Sequence, residues 1–142
     1  MKDQFTILIA DRNRYVREFL RRELIGEGYR VKLAKSGREV LELVFDQECV
    51  DLLILDLDVP DANELSVLEK VGDRIPTLPV VVHAFLSDYL GQPSLLSAAA
   101  FVEKRGTNID DLKQVVSEML QKSYPTRFER SHHISLQPAE QE

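Results

Sequence analysis

One cysteine, Cys49, occurs among the 142 residues, so no internal disulfide can form. That scarcity fits a reducing compartment, and a cytoplasmic setting is expected. Cys49 directly precedes an apolar stretch, where a small packed side chain is a plainer reading than a reactive thiol. Long hydrophobic runs are also missing. No stretch approaches the ~20 apolar residues that cross a membrane. The opening Met-Lys-Asp-Gln-Phe lacks the apolar segment of a signal peptide. Positive charge is short as well: 18 Lys and Arg face 24 Asp and Glu, a net charge of −6. This disfavours a non-specific binder of nucleic acid or of anionic membranes. No repeat or low-complexity block stands out. What the chain does have is 44% hydrophobic residues, enough for one domain with an ordinary core.

The chain is organised around Asp51-Leu52-Leu53-Ile54-Leu55-Asp56-Leu57-Asp58-Val59-Pro60. Its unbroken apolar run reads as a strand covered on both faces, as in a parallel sheet. The run ends in Asp56, and Pro60 signals a turn. Phe5-Thr6-Ile7-Leu8-Ile9-Ala10 is a second such strand and also ends in an acid, Asp11. Arg30 to Ala34 alternates like an edge strand, Leu78-Pro79-Val80-Val81-Val82 runs into His83, and Ala100-Phe101-Val102-Glu103 runs into Lys104.

Helical periodicity fills the gaps. A helix is expected over 13–25, stopped by Gly26 and Gly28. Ser36-Gly37-Arg38-Glu39 has capping-box spacing and opens a second. A short third is expected over 64–71, and a fourth, distorted one near Pro93. Thr107 or Asn108 caps a fifth, with Leu112, Val115, Val116 and Met119 at helical spacing. Five strands alternating with five helices mean an α/β fold with a doubly wound, five-stranded parallel sheet. The flavodoxin-like (βα)5 order 2-1-3-4-5 is the expected winding. The domain is expected over 1–123. Residues 124–142 lose the periodicity and read as a mobile tail. His132-His133 there could pair on a metal, but a solvated tail explains them without further ligands.

This winding gathers Asp11, Asp56, His83 and Lys104 at the carboxyl edge of the sheet, where ligands of open parallel sheets bind. Two carboxylates and a lysine suit phosphoryl chemistry. A carboxylate can be the nucleophile. Mg²⁺ is commonly held by one or two carboxylates. A lysine offers a point charge to phosphate oxygens. The plain alternative is a buried Asp56–Lys104 ion pair without chemistry.

On Ile7-Leu8-Ile9-Ala10-Asp11, Asp51 to Asp56 with Pro60 four residues on, and Phe101-Val102-Glu103-Lys104, residues 5–121 resemble the receiver domains of bacterial two-component response regulators. The resemblance implies a phosphorelay signalling domain rather than an enzyme. Asp56 would accept a phosphoryl group from a sensor histidine kinase or phosphotransfer protein. Asp11, Asp56 and the backbone carbonyl of Asp58 would hold Mg²⁺. Lys104 would contact the phosphoryl group, and Phe101 would be the aromatic that turns on activation. Output would pass to a protein target through the face of the fourth helix, fifth strand and fifth helix, with no direct nucleic-acid or membrane contact. Homodimer formation stays open.

The departures from the family are specific. Arg12 stands where a second acid is usual, so it would weaken Mg²⁺ binding or itself neutralise Asp56. His83 stands where Thr or Ser is usual; protonated, it could donate the same bond, or it could merely fill the position. A second reading is therefore a non-phosphorylated pseudo-receiver that serves as an interaction module. A third, from Asp56-Leu57-Asp58, is a phosphatase of the haloacid dehalogenase type.

Overall fold

In a computed structural model, residues 5–46, 50–62, 65–85, 100–104 and 109–128 are described. Five strands, β1 (Thr6–Ala10), β2 (Arg30–Ala34), β3 (Leu52–Leu55), β4 (Val80–Ala84) and β5 (Ala100–Glu103), form one sheet in the order β2-β1-β3-β4-β5. Every pairing is parallel, with Ile7 opposite Leu52 and Val82 opposite Phe101. The expected winding is the observed one. The described helices are α1 (Arg14–Gly26), α2 (Gly37–Phe45), α3 (Val67–Gly72) and α4 (Ile109–Ser123). The expectations for Cys49, the helix near Pro93, the Thr107 or Asn108 cap and His132-His133 fall outside the described residues.

Side chains of a strand alternate between faces, and the sheet sorts two cores accordingly. Leu8, Leu53, Leu55, Val80 and Val82 pack with Val40, Val44, Val67 and Val71 of α2 and α3. Ile7, Ile9, Leu52, Ile54 and Val81 pack with Leu20, Leu24, Leu112, Val116 and Leu120 of α1 and α4. Coverage on both faces explains why β3 reads as a continuous apolar run rather than an alternating one.

Two boundaries differ from expectation. The third helix begins at Val67, because Ser66 before it has φ 50°, a left-handed conformation that a right-handed helix cannot run through. Nor does the tail begin at Tyr124. Residues 125–128 form another helical turn, with Tyr124 N–H donating to Leu120 O and Phe128 N–H to Tyr124 O. Pro125 costs one backbone hydrogen bond without ending the packing.

Candidate functional site

The site is built from strand ends. Asp56 follows β3, and its carboxylate is buried, 1% exposed. Burial is tolerable only with partners, and both oxygens have them. The Asp58 N–H donates to Oδ1 at 3.0 Å. The Arg12 N–H approaches Oδ2 at 3.4 Å. Lys104, after β5, completes the site. Its Nζ lies 2.9 Å from Asp11 Oδ2 and 3.5 Å from Asp56 Oδ2, so one ammonium joins two buried carboxylates.

Asp11 is positioned by the chain that follows it. The Asn13 N–H donates to Asp11 Oδ1 at 2.8 Å, and Arg17 Nη1 to its carbonyl at 2.7 Å. Asn13 in turn caps α1, its side chain accepting from the Tyr15 and Val16 N–H groups. The start of α1 and the pose of Asp11 are thus one structure.

Burial raises the Asp56 pKa above the ordinary carboxylate value; Asp11 adds to the rise, while the Asp58 N–H and Lys104 oppose it. His83 moves the other way, down to about 4, through burial and the nearby Lys104 charge. The shift favours the neutral ring, which keeps a single N–H. His83 Nδ1 is buried without a hydrogen-bond partner among the described residues. The ring lines a cavity of about 370 Å³ between α1 and α4, with Phe19, Phe85 and Lys104.

Asp11, Asp56 and Lys104 thus meet, as expected, and His83 lies near enough for the charges of Lys104 and Asp56 to act on its ring. Phe101 is half-buried and packs on the α2–α3 side, in register with Val82, whereas His83 lies one position on and lines the α1–α4 side. The Arg12 side chain does not neutralise Asp56. Its Nη2 lies 3.7 Å from Asp58 Oδ2 at the exposed rim. The fixed Arg12–Asp56 pair invoked for a pseudo-receiver is not formed.

Sequence reasoning missed a second polar cluster at the opposite end of β3. Asp51 is buried, accepts the Thr6 N–H at 2.7 Å and pairs with Arg127 Nη1 at 2.9 Å. The Tyr124 hydroxyl donates to the Asp51 carbonyl at 2.7 Å. Tyr124, Arg127 and Phe128 at helical spacing were the available signal.

The sequence profile described as "Response regulator receiver domain" matches residues 7–117. The chain belongs to this family. Among solved structures, this receiver is similar to response regulator TrrA of Thermotoga maritima in complex with Mg²⁺-BeF. The two are 30% identical, with a TM-score of 0.74 over 82% of this chain and 99% of that one. TrrA in complex with histidine kinase ThkA matches at 30% identity and a TM-score of 0.71, over 82% of this chain and 98% of that one. Response regulator MprA of Mycolicibacterium vanbaalenii is 39% identical over 85 residues, 58% of this chain and 36% of that protein. Response regulator RR06 of Streptococcus pneumoniae is 35% identical over 94 residues, 66% of this chain and 42% of that protein. The receiver therefore spans less than half the length of these two curated relatives. A haloacid-dehalogenase reading has no support left, since Asp56-Leu57-Asp58 follows the third strand of a receiver sheet. Among the described residues, no helix is long and apolar enough to cross a membrane.

Proposed function

We propose that Asp56 is the phosphoacceptor of this receiver, taking a phosphoryl group from the phosphohistidine of a sensor kinase or phosphotransfer protein. One observation carries the reading: a buried carboxylate at a strand end faces Asp11 across a shared lysine ammonium. In the transfer, an Asp56 oxygen forms a bond to phosphorus as the bond from phosphorus to the donor nitrogen breaks. The donor imidazole takes that electron pair. Phosphoryl transfer asks for alignment and charge neutralisation more than covalent help, and the two backbone N–H groups and Lys104 provide the alignment.

Mg²⁺ fits this site in a reduced form. Two carboxylates plus a carbonyl are the share of ligands a protein commonly gives it, with water and phosphate oxygens completing the shell. The rise in the Asp56 pKa caused by Asp11 is repulsion that a cation relieves. Among the described residues, however, no three His, Cys, Asp or Glu side chains converge as a metal cluster. Asp11, Asp56 and the Asp58 carbonyl would hold the ion, which would supply charge neutralisation for the incoming phosphoryl group.

Lys104 holds the transferred group, and Phe101 and His83 report the change toward the surface. Output passes to a protein target through the side of the sheet formed by β5 and α4, in a cytoplasmic setting. The similarity to a regulator solved in complex with its histidine kinase supports a kinase as upstream partner. The test is intact-mass spectrometry after incubation with a small acyl phosphate and Mg²⁺. A single added phosphoryl mass, abolished in Asp56→Asn, is expected. No adduct with any divalent metal or with a cognate kinase overturns the reading.

A further inference from the structure

We propose that Arg12 is a phosphoryl-binding residue, released from Asp58 to grip the group on Asp56. The proposal rests on Asp56 being the phosphoacceptor. The two residues whose backbone N–H groups approach the Asp56 carboxylate, Arg12 on Oδ2 and Asp58 on Oδ1, are themselves joined by a side-chain ion pair. The Arg12 guanidinium is thereby parked beside the mouth of the pocket, on a backbone already in contact with the acceptor.

The two cations around Asp56 are not equivalent. Lys104 is mostly buried, with its ammonium close to Asp11 as well as Asp56. Arg12 is 59% exposed, and its contact with Asp58, 37% exposed, is long at 3.7 Å. Exposed pairs of this kind are among the weakest electrostatic contacts and are readily exchanged. A phosphoryl group on Asp56 adds negative charge and three strong acceptor oxygens to a site that already holds Asp11 and Asp58. A guanidinium matches such oxygens bidentately, which an ammonium does not. Arg12 therefore swings from Asp58 to the phosphoryl oxygens and takes over part of the neutralisation that a further metal-binding carboxylate at its position would have directed through Mg²⁺. The substitution trades metal affinity for a built-in cation.

The test compares wild type, Arg12→Ala, Arg12→Lys and Asp56→Asn. Beryllium fluoride with Mg²⁺ serves as a phosphoryl mimic, read by ¹⁹F NMR, and phosphorylation by an acyl phosphate is followed by intact mass over a Mg²⁺ series. Arg12→Ala is expected to weaken fluoride binding and phosphoryl accumulation roughly tenfold to a hundredfold, the value of a hydrogen bond to a charged group. The loss is largest at low Mg²⁺, and Arg12→Lys recovers part of it. Equal binding and accumulation in wild type and Arg12→Ala overturn the role of Arg12 while leaving Asp56 as acceptor. An adduct that survives in Asp56→Asn, or none in wild type, overturns the acceptor assignment and this role with it.

Discussion

Asp56 and His83 sit at the ends of the neighbouring strands β3 and β4, and burial pushes their pKa values in opposite directions for the same reason. A low-dielectric site disfavours the charged form of each, so the acid moves up and the base moves down. For His83 this has a measurable sign. The folded pKa is about 4 against an ordinary 6.5, so the unfolded chain takes up a proton before the folded one does. Stability from the neutral ring is intact above pH 6.5 and is lost as pH falls toward 4. Between pH 7 and pH 5 the wild type should lose about 2 kcal/mol through this group. Lys104, Asp56 and Glu103 all act on the ring, so the measurement is a difference. Urea unfolding of wild type and His83→Thr at both pH values should show Thr gaining on His as pH falls. Parallel pH profiles would remove the depressed His83 from the account. The placement of Asp11, Asp56 and Lys104 was legible because a strand's last residue is fixed by its apolar run and the topology fixes which ends meet. The partner of Arg12 was not, because an exposed arginine beside two aspartates can choose either.

At the scale of elements, the loop after β3 is tied to α2 as well as to its own helix, whose Val67 N–H donates to Ala62 O at 3.1 Å. The Gly37 N–H donates to Pro60 O at 2.9 Å and to Asp61 Oδ1 at 2.6 Å. Asp61 itself has φ 60°, which turns its side chain back toward that donor. A Cβ on Gly37 would meet Val67 Cγ2 at 2.7 Å and Asp61 Oδ1 at 2.8 Å. Gly37→Ala should therefore destabilise the fold by roughly 1–3 kcal/mol, the usual cost of overpacking, and displace the loop that carries Asp58. Thermal unfolding measures the first effect; a change in Asp56 phosphorylation rate measures the second. A variant as stable as wild type would show that Val67 and Asp61 yield without cost. The cap at this junction was readable from Ser36 to Glu39, and Ser36 Oγ does accept the Glu39 N–H at 3.2 Å. The returning arm goes one residue further out, with Glu39 accepting from the Lys35 N–H at 2.9 Å. Spacing in the sequence identified the pair but not which of two adjacent amides it would reach. It also could not show that Ser66 is left-handed, which is why the third helix starts later than its apolar spacing suggests.

The molecule as a whole is closed at the end opposite Asp56 by residues that composition assigned to a tail. Phe5 packs on Tyr124 and Phe128 at ring separations of 6.0 and 6.4 Å. The Arg127 guanidinium lies 4.7 Å above the Phe5 ring while pairing with Asp51. Pro125 and the mixed charges hid an amphipathic turn that is too short to register as periodic without its continuation from α4. The segment tethers the last helix to the start of β1 and β3, so it belongs to the cooperative unit. Ending the chain after Ser123 should cost about 2–3 kcal/mol, from two half-buried aromatic rings and the Tyr124 hydrogen bond to Asp51. Arg127→Ala should cost less, about 1 kcal/mol, because Arg127 is 39% exposed and Asp51 keeps the Thr6 N–H. A mobile tail predicts changes within about 0.5 kcal/mol for both. Urea unfolding of the two variants against the full chain decides between these, and a chain ending at Ser123 that matches the full chain in stability would sink the docked segment as a structural element.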